Sequence, residues 1–132
     1  MFLKELIARD LMKTKVISVH PDEKVAAVDL IMVKKSLGGV PIVDDTENVI
    51  GILTSRDIMT SRLRTSIAGM PVENIMTKNP ITVDPEAPIG KILGLMLSHG
   101  IERIPVVEDD KLVGLIDEVS ILSAIYQKII LE

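Results

Sequence analysis

The sequence predicts an α/β protein built as a tandem pair of βαββα repeats related by a pseudo-twofold axis. Three observations carry that prediction. The chain aligns with itself at one nearly constant offset, each copy passes through the same series of apolar periodicities, and proline and glycine fall at matching places. At an offset of 64 residues Met12 meets Met76, Ile17 meets Ile81, Val19 and Pro21 meet Val83 and Pro85, Met32 meets Met96, and Pro41 meets Pro105. One residue is lost in the second copy's turn, after which Gly51 meets Gly114 and Ile58 meets Ile121. Self-similarity at a fixed period marks a duplicated structural unit. The repeats are expected at residues 8–65 and 73–128, joined by a linker at 66–72.

Residues 1–9 read as a lead-in helix. Val16–Val19 and Ile81–Val83 are short β-rich runs, each stopped two residues later by Pro21 or Pro85. Helices follow over Val25–Lys35 and Ile89–His99. Val25, Val28, Ile31 and Met32 share one stripe in the first, and Ile89, Ile92, Leu93 and Met96 share one in the second. Gly38-Gly39 and Gly100 stand where a helix C-terminus wants glycine. A hairpin comes next in each copy, entered through Pro41 or Pro105 and turned at Asp44-Asp45 or Glu108-Asp109-Asp110. Closing helices begin near Ser55 and Glu118. The linker carries Gly-Met-Pro punctuation.

Composition limits the function. Apolar residues make up 47%, enough for a core, but aromatics only 2%, so few rings can stack on single-stranded nucleic acid. A net charge of −4 argues against binding a phosphate backbone, and nucleic acid is not an expected partner. With no cysteine, disulfides and thiolate catalysis are excluded. His20 and His99 occupy non-equivalent positions, so no metal site is expected. The apolar runs are too short to insert in a membrane, and the N-terminus has no signal-peptide cleavage pattern. A cytoplasmic protein is expected, and no nucleophile–base pair or phosphate loop marks an enzyme.

Each copy opens with a Met-containing segment (Leu11-Met12-Lys13-Thr14; Ile75-Met76-Thr77-Lys78). Each continues through Val40-Pro41-Ile42-Val43-Asp44 or Ile104-Pro105-Val106-Val107-Glu108, and closes with Ile50-Gly51-Ile52-Leu53-Thr54-Ser55-Arg56-Asp57 or its counterpart Val113–Ser120. In that order, twice over, these segments resemble a CBS (cystathionine β-synthase) domain pair, or Bateman module. The resemblance covers nearly the whole chain. It implies a regulatory module with two clefts between the copies, binding AMP, ADP, ATP or S-adenosylmethionine. It also implies a homodimer acting on a separate regulated protein. Apolar stripes on the closing helices (Ile58, Met59, Leu63; Ile121, Leu122, Ile125) are consistent with dimerisation.

By that resemblance Thr54 contacts phosphate and Asp57 the ribose. A carboxylate accepts charge-assisted hydrogen bonds from both vicinal hydroxyls. Ile52 packs on adenine, Pro80 and Ile81 line its other side, and Arg103 and Arg56 reach the phosphate. Glu102 stands where the family often has histidine. Its charge disfavours a polyphosphate, which shifts the expected ligand to AMP and keeps S-adenosylmethionine open. In the second copy Asp117 and Ser120 replace the Thr and Asp, so that cleft, lined by Val16 and Ile17, is expected to bind weakly. T-x-x-D is also a helix-start capping pattern, so Thr54 and Asp57 have a structural reading beside the functional one. An interaction protein with an empty cleft therefore stays open as the second function. Arg62 and Arg64 read as solvated charge, and the methionines as core.

Overall fold

A computed structural model describes residues 2–131. It falls into two compact units that cut across the sequence repeats. One is formed by Ile17–Pro80; the other joins the chain up to Val16 with the chain from Ile81 onward. Each unit thus takes the body of one copy and the opening segment of the other.

In the first unit, helix α2 (Val25–Lys34) leads to the antiparallel hairpin β1 (Gly39–Val43) and β2 (Val49–Thr54), then to α3 (Ser55–Arg62). The short helix α1 (Ala8–Leu11) belongs to the other unit. The sheet order is β1-β2-β3, where β3 is Thr77–Lys78 from the second copy's opening. It pairs Gly51 with Lys78 and Ile52 with Thr77. The expected strand Val16–Val19 shrinks to one parallel bridge between Val19 and Ile42. Two hydrogen bonds hold that bridge: Val19 N–H to Pro41 O at 3.1 Å and Val43 N–H to Val19 O at 2.9 Å. Among the described residues Val16, Ile17 and Ser18 have no ladder partner, and Pro21 removes a donor just beyond Val19.

The core here is aliphatic: Val25, Val28, Val40, Ile42, Leu53 and Val72 are all fully buried. Burying a side chain of Leu53's size contributes about 1.5–3 kcal/mol. The linker region helps close the core, because Ile67 and Val72 are buried and Met70 O accepts from Val25 N–H at 2.8 Å. Helix α2 ends differently from the expected glycine stop. Ser36 takes the left-handed conformation (φ 55), two residues before Gly38, and Leu37 N–H donates to Met32 O.

The second unit repeats the plan with α4 (Ile89–His99), β4 (Arg103–Glu108), β5 (Lys111–Asp117) and α5 (Glu118–Ile130). Gly100 ends α4 in the left-handed conformation at φ 62. Val83 makes a single parallel bridge to Val106, and Lys13 bridges β5 at Leu115. The expected lead-in helix is a 3-10 turn at Phe2–Glu5 followed by α1; Met1 lies outside the described residues. Asp109 and Asp110 both take positive φ in the β4–β5 turn.

Glycine at the middle of β2 and β5 is required by the incoming segments. A Cβ on Gly51 would lie 2.4 Å from Met76 Sδ, and one on Gly114 would lie 2.5 Å from Met12 Sδ. The matched Met–Gly pairs of the repeat are therefore contacts within each unit.

The closing helices present a different face from the expected one. Ile58 and Ile121 point into their own cores and are buried, and Ile125 packs against the core. Met59, Leu63 and Leu122 are exposed, joined on α5 by Val119, Tyr126 and Ile129. Adjacent residues on a helix point about 100° apart, so Ile58 and Met59 cannot share a face. Among the described residues no helix is long and apolar enough to cross a membrane.

Candidate functional site

The start of α3 gathers the residues expected to hold a ribose and phosphate. Strand β2 ends at Thr54, extended at ψ 163, and Thr54 caps the helix. Its Oγ1 accepts from Asp57 N–H at 3.2 Å, while Asp57 Oδ2 accepts from Thr54 N–H at 2.9 Å and from Thr54 Oγ1 at 3.0 Å. The T-x-x-D pattern thus forms a reciprocal capping box. Asp57 Oδ1 lies outside that box. Its one partner among the described residues is the Thr77 hydroxyl, which donates across a long 3.3 Å. One carboxylate oxygen of the half-buried Asp57 is spent on the helix start, and the other is weakly engaged by the exposed Thr77.

Strand register places Thr77. It pairs with Ile52, two residues before Thr54, so its side chain rises on the same sheet face as Ile52 and Thr54. Ile52 is 7% exposed and gives that face an apolar floor. The chain leaves β3 through Asn79, at φ 49, into Pro80. Ile52, Thr54, Asp57, Thr77 and Pro80 therefore belong to one unit. Arg56 belongs to it too, and is exposed. Ile81, Glu102 and Arg103 belong to the other unit. Arg103 keeps only 16% of its side chain exposed and lies 3.5 Å from Glu102. Arg62 pairs with Asp29 rather than standing free in solvent.

The start of α5 has the same backbone with different chemistry. Asp117 caps the helix, its Oδ1 accepting from Ser120 N–H at 2.7 Å. The Ser120 hydroxyl accepts from Asp117 N–H at 2.9 Å and donates to Asp117 O at 3.0 Å, and Ser120 is 9% exposed. Lys13 Nζ donates to Asp117 Oδ2 at 2.6 Å. Burial opposes ionisation of Asp117, but the bonds from Lys13 and from Ser120 N–H, with the charges of Lys13 and Arg103, hold its carboxyl below the usual range. Of the other residues expected near this second cleft, Val16 shares the unit and Ile17 lies in the other; Ile17 is 38% exposed.

Two partners were not legible as site residues: Thr77 beside Asp57, and Lys13 beside Asp117. They hold matching positions in the repeat, each one residue after its methionine. That register was the available signal. Among the described residues no three His, Asp or Glu side chains converge as metal ligands would.

The CBS domain family model matches residues 8–64 and 72–127. Inosine-5'-monophosphate dehydrogenase of Methanocaldococcus jannaschii is 32% identical over 102 residues, 76% of this chain; the chain spans 20% of that enzyme's length. Among solved structures, the CBS domain pair of protein MJ0100 in complex with 5'-methylthioadenosine and S-adenosyl-L-methionine superposes with a TM-score of 0.83 at 27% identity. That match covers 93% of this chain and 98% of that one. CBSX2 in complex with AMP superposes with a TM-score of 0.84 at 25% identity, covering 92% and 97%.

Proposed function

This chain belongs to the CBS domain family, and we propose that it is a regulatory module binding an adenine nucleotide, AMP first, at the start of α3. The observation that carries the reading is the uneven use of the Asp57 carboxylate. Oδ2 closes the capping box, and among the described residues Oδ1 keeps only the long bond from Thr77. A ribose diol offers the donors that Oδ1 lacks, and bonds to an ionised acceptor are the strong ones. Thr54 sits where the first backbone N–H groups of α3 point, a setting that favours a phosphate. Ile52 supplies an apolar surface for the base. The parts of Ile81, Glu102, Arg56 and Arg103 rest on family resemblance. Solved relatives in complex with AMP and with S-adenosyl-L-methionine support an adenosine ligand. Glu102 favours AMP, or the cationic S-adenosylmethionine, over a polyphosphate.

Binding regulates only if the ligand prefers one conformation of the chain or of its partner protein over another. The exposed apolar residues of α5 (Val119, Leu122, Tyr126 and Ile129), with Met59 of α3 and Leu63 just after it, are the faces we propose a second copy covers in a homodimer. No catalytic role is proposed. A second reading, an interaction module with an empty site, is favoured by one observation: the Thr54–Asp57 box already satisfies itself without ligand.

Isothermal calorimetry with AMP separates the two. Asp57→Asn keeps a capping acceptor and removes the charge, so affinity should fall by about 1–3 kcal/mol, roughly 5- to 150-fold. Unchanged affinity, or no heat with AMP and S-adenosylmethionine in the unaltered chain, rejects the proposal.

A further inference from the structure

The two helix starts have the same backbone and opposite acceptor states. At α3 one oxygen of Asp57 is left, among the described residues, with a single long bond. At α5 each acceptor atom already holds a short bond. Asp117 Oδ1 holds Ser120 N–H, Asp117 Oδ2 holds Lys13 Nζ, and the Ser120 hydroxyl both accepts and donates within the box. The difference arises in the incoming segment. Lys13 bridges Leu115, with Lys13 N–H to Leu115 O at 2.9 Å and Leu115 N–H to Lys13 O at 3.0 Å. That fixes its side chain two residues before Asp117 on β5. Thr77 holds the corresponding place against Ile52, two residues before Thr54 on β2. The lysine is long and cationic and reaches the carboxylate; the threonine is short and neutral and barely does.

We infer that Lys13 is an intramolecular occupant of the second copy's helix start, locking Asp117 and limiting the chain to one adenine nucleotide. A diol arriving at α5 would have to displace a charge-assisted bond of 2.6 Å and compete with a hydroxyl that is already buried. Asp117 keeps 20% of its side chain exposed and Lys13 48%, so the pair is partly shielded from water and salt. The depressed titration of Asp117 agrees with a carboxylate already committed to cations. Three side chains thus set whether a copy is open: 13, 117 and 120 at one helix start, 77, 54 and 57 at the other.

This inference rests on the reading that nucleotide binds beside Asp57, and the test keeps the two apart. AMP stoichiometry is measured by calorimetry on three folded chains: the unaltered protein, the Lys13→Thr/Asp117→Thr/Ser120→Asp variant, and the Thr77→Lys/Thr54→Asp/Asp57→Ser variant. The unaltered chain should bind one AMP, the first variant two and the second none, with circular dichroism confirming both folds. No binding by the unaltered chain overturns the nucleotide reading itself. Two AMP in the unaltered chain, or one AMP in both the unaltered chain and a folded first variant, overturns the lock. If the first variant does not fold, the single Thr77→Lys chain, which keeps Thr54 and Asp57, decides: AMP affinity equal to that of the unaltered chain overturns the lock.

Discussion

Gly114 and Gly94 lie in the same unit, and replacing each with alanine should move stability in opposite directions. At Gly114 the added Cβ would stand 2.5 Å from Met12 Sδ, 2.8 Å from Met12 Cγ and 3.0 Å from Lys13 O. The thioether can swing, but Lys13 O accepts from Leu115 N–H at 3.0 Å and can retreat only by weakening that bond. Forcing a methyl into such a contact costs about 1–3 kcal/mol, and a weakened backbone bond adds about 1. At Gly94, in the middle of α4, a Cβ meets nothing within 4 Å. Alanine there should stabilise by about 0.5–1 kcal/mol through helix propensity. For a chain of this size 1 kcal/mol moves Tm by about 3–5 °C. Thermal melts followed by circular dichroism should show Gly114→Ala falling by about 6–20 °C and Gly94→Ala rising by about 2–5 °C. An unchanged Tm for Gly114→Ala would refute the placement of the opening segment against β5.

Further outcomes follow from single features. Leu53→Ala, at a fully buried position, should cost about 2–5 kcal/mol in urea unfolding, whereas Leu97→Ala, 84% exposed, should change monomer stability little. Asp110→Gly relieves a left-handed non-glycine residue in the β4–β5 turn and should raise Tm by a few degrees, about 1 kcal/mol. Asp44 has its carboxyl held below the usual range, first by Asn48 N–H and then by Thr46. A carboxyl depressed on folding contributes stability that is present above its unfolded pKa, about pH 4, and is lost as pH falls through the folded value. Asp44→Asn should therefore flatten the fall of Tm below about pH 4 and leave its slope near neutrality unchanged. Light scattering at micromolar concentration should report a dimer that Leu122→Lys disperses; a monomer in the unaltered chain would refute the second-copy proposal.

The duplication, helices α2 and α4 and both hairpins were legible because each is written in local periodicity and punctuation. The exchange of opening segments was not. Met12 and Met76 matched in register, but period and propensity do not say which sheet a short extended segment joins; that is decided by where a glycine leaves room for a thioether. The first strand of each copy is shorter than its residue types suggest for a related reason. Val16–Val19 has the right residue types, yet only Val19 finds a ladder partner. On α3 and α5 the sequence pattern puts the neighbours Ile58-Met59 and Ile121-Leu122 on one stripe, although the helix turns them to opposite surroundings. At the candidate site the residues Thr54 and Asp57 were visible and their capping role was foreseen as the competing reading. The contrast between Lys13 and Thr77 became visible only when the strand register set each beside its carboxylate.

The most direct measurement is a crystal structure grown with excess AMP. The account predicts the ribose hydroxyl oxygens within about 2.5–3.0 Å of the Asp57 carboxylate. It also predicts the adenine against Ile52, and Lys13 still paired with Asp117 at the other helix start. Density for solvent alone beside Asp57, or AMP seated at Asp117 with the lysine displaced, would contradict it.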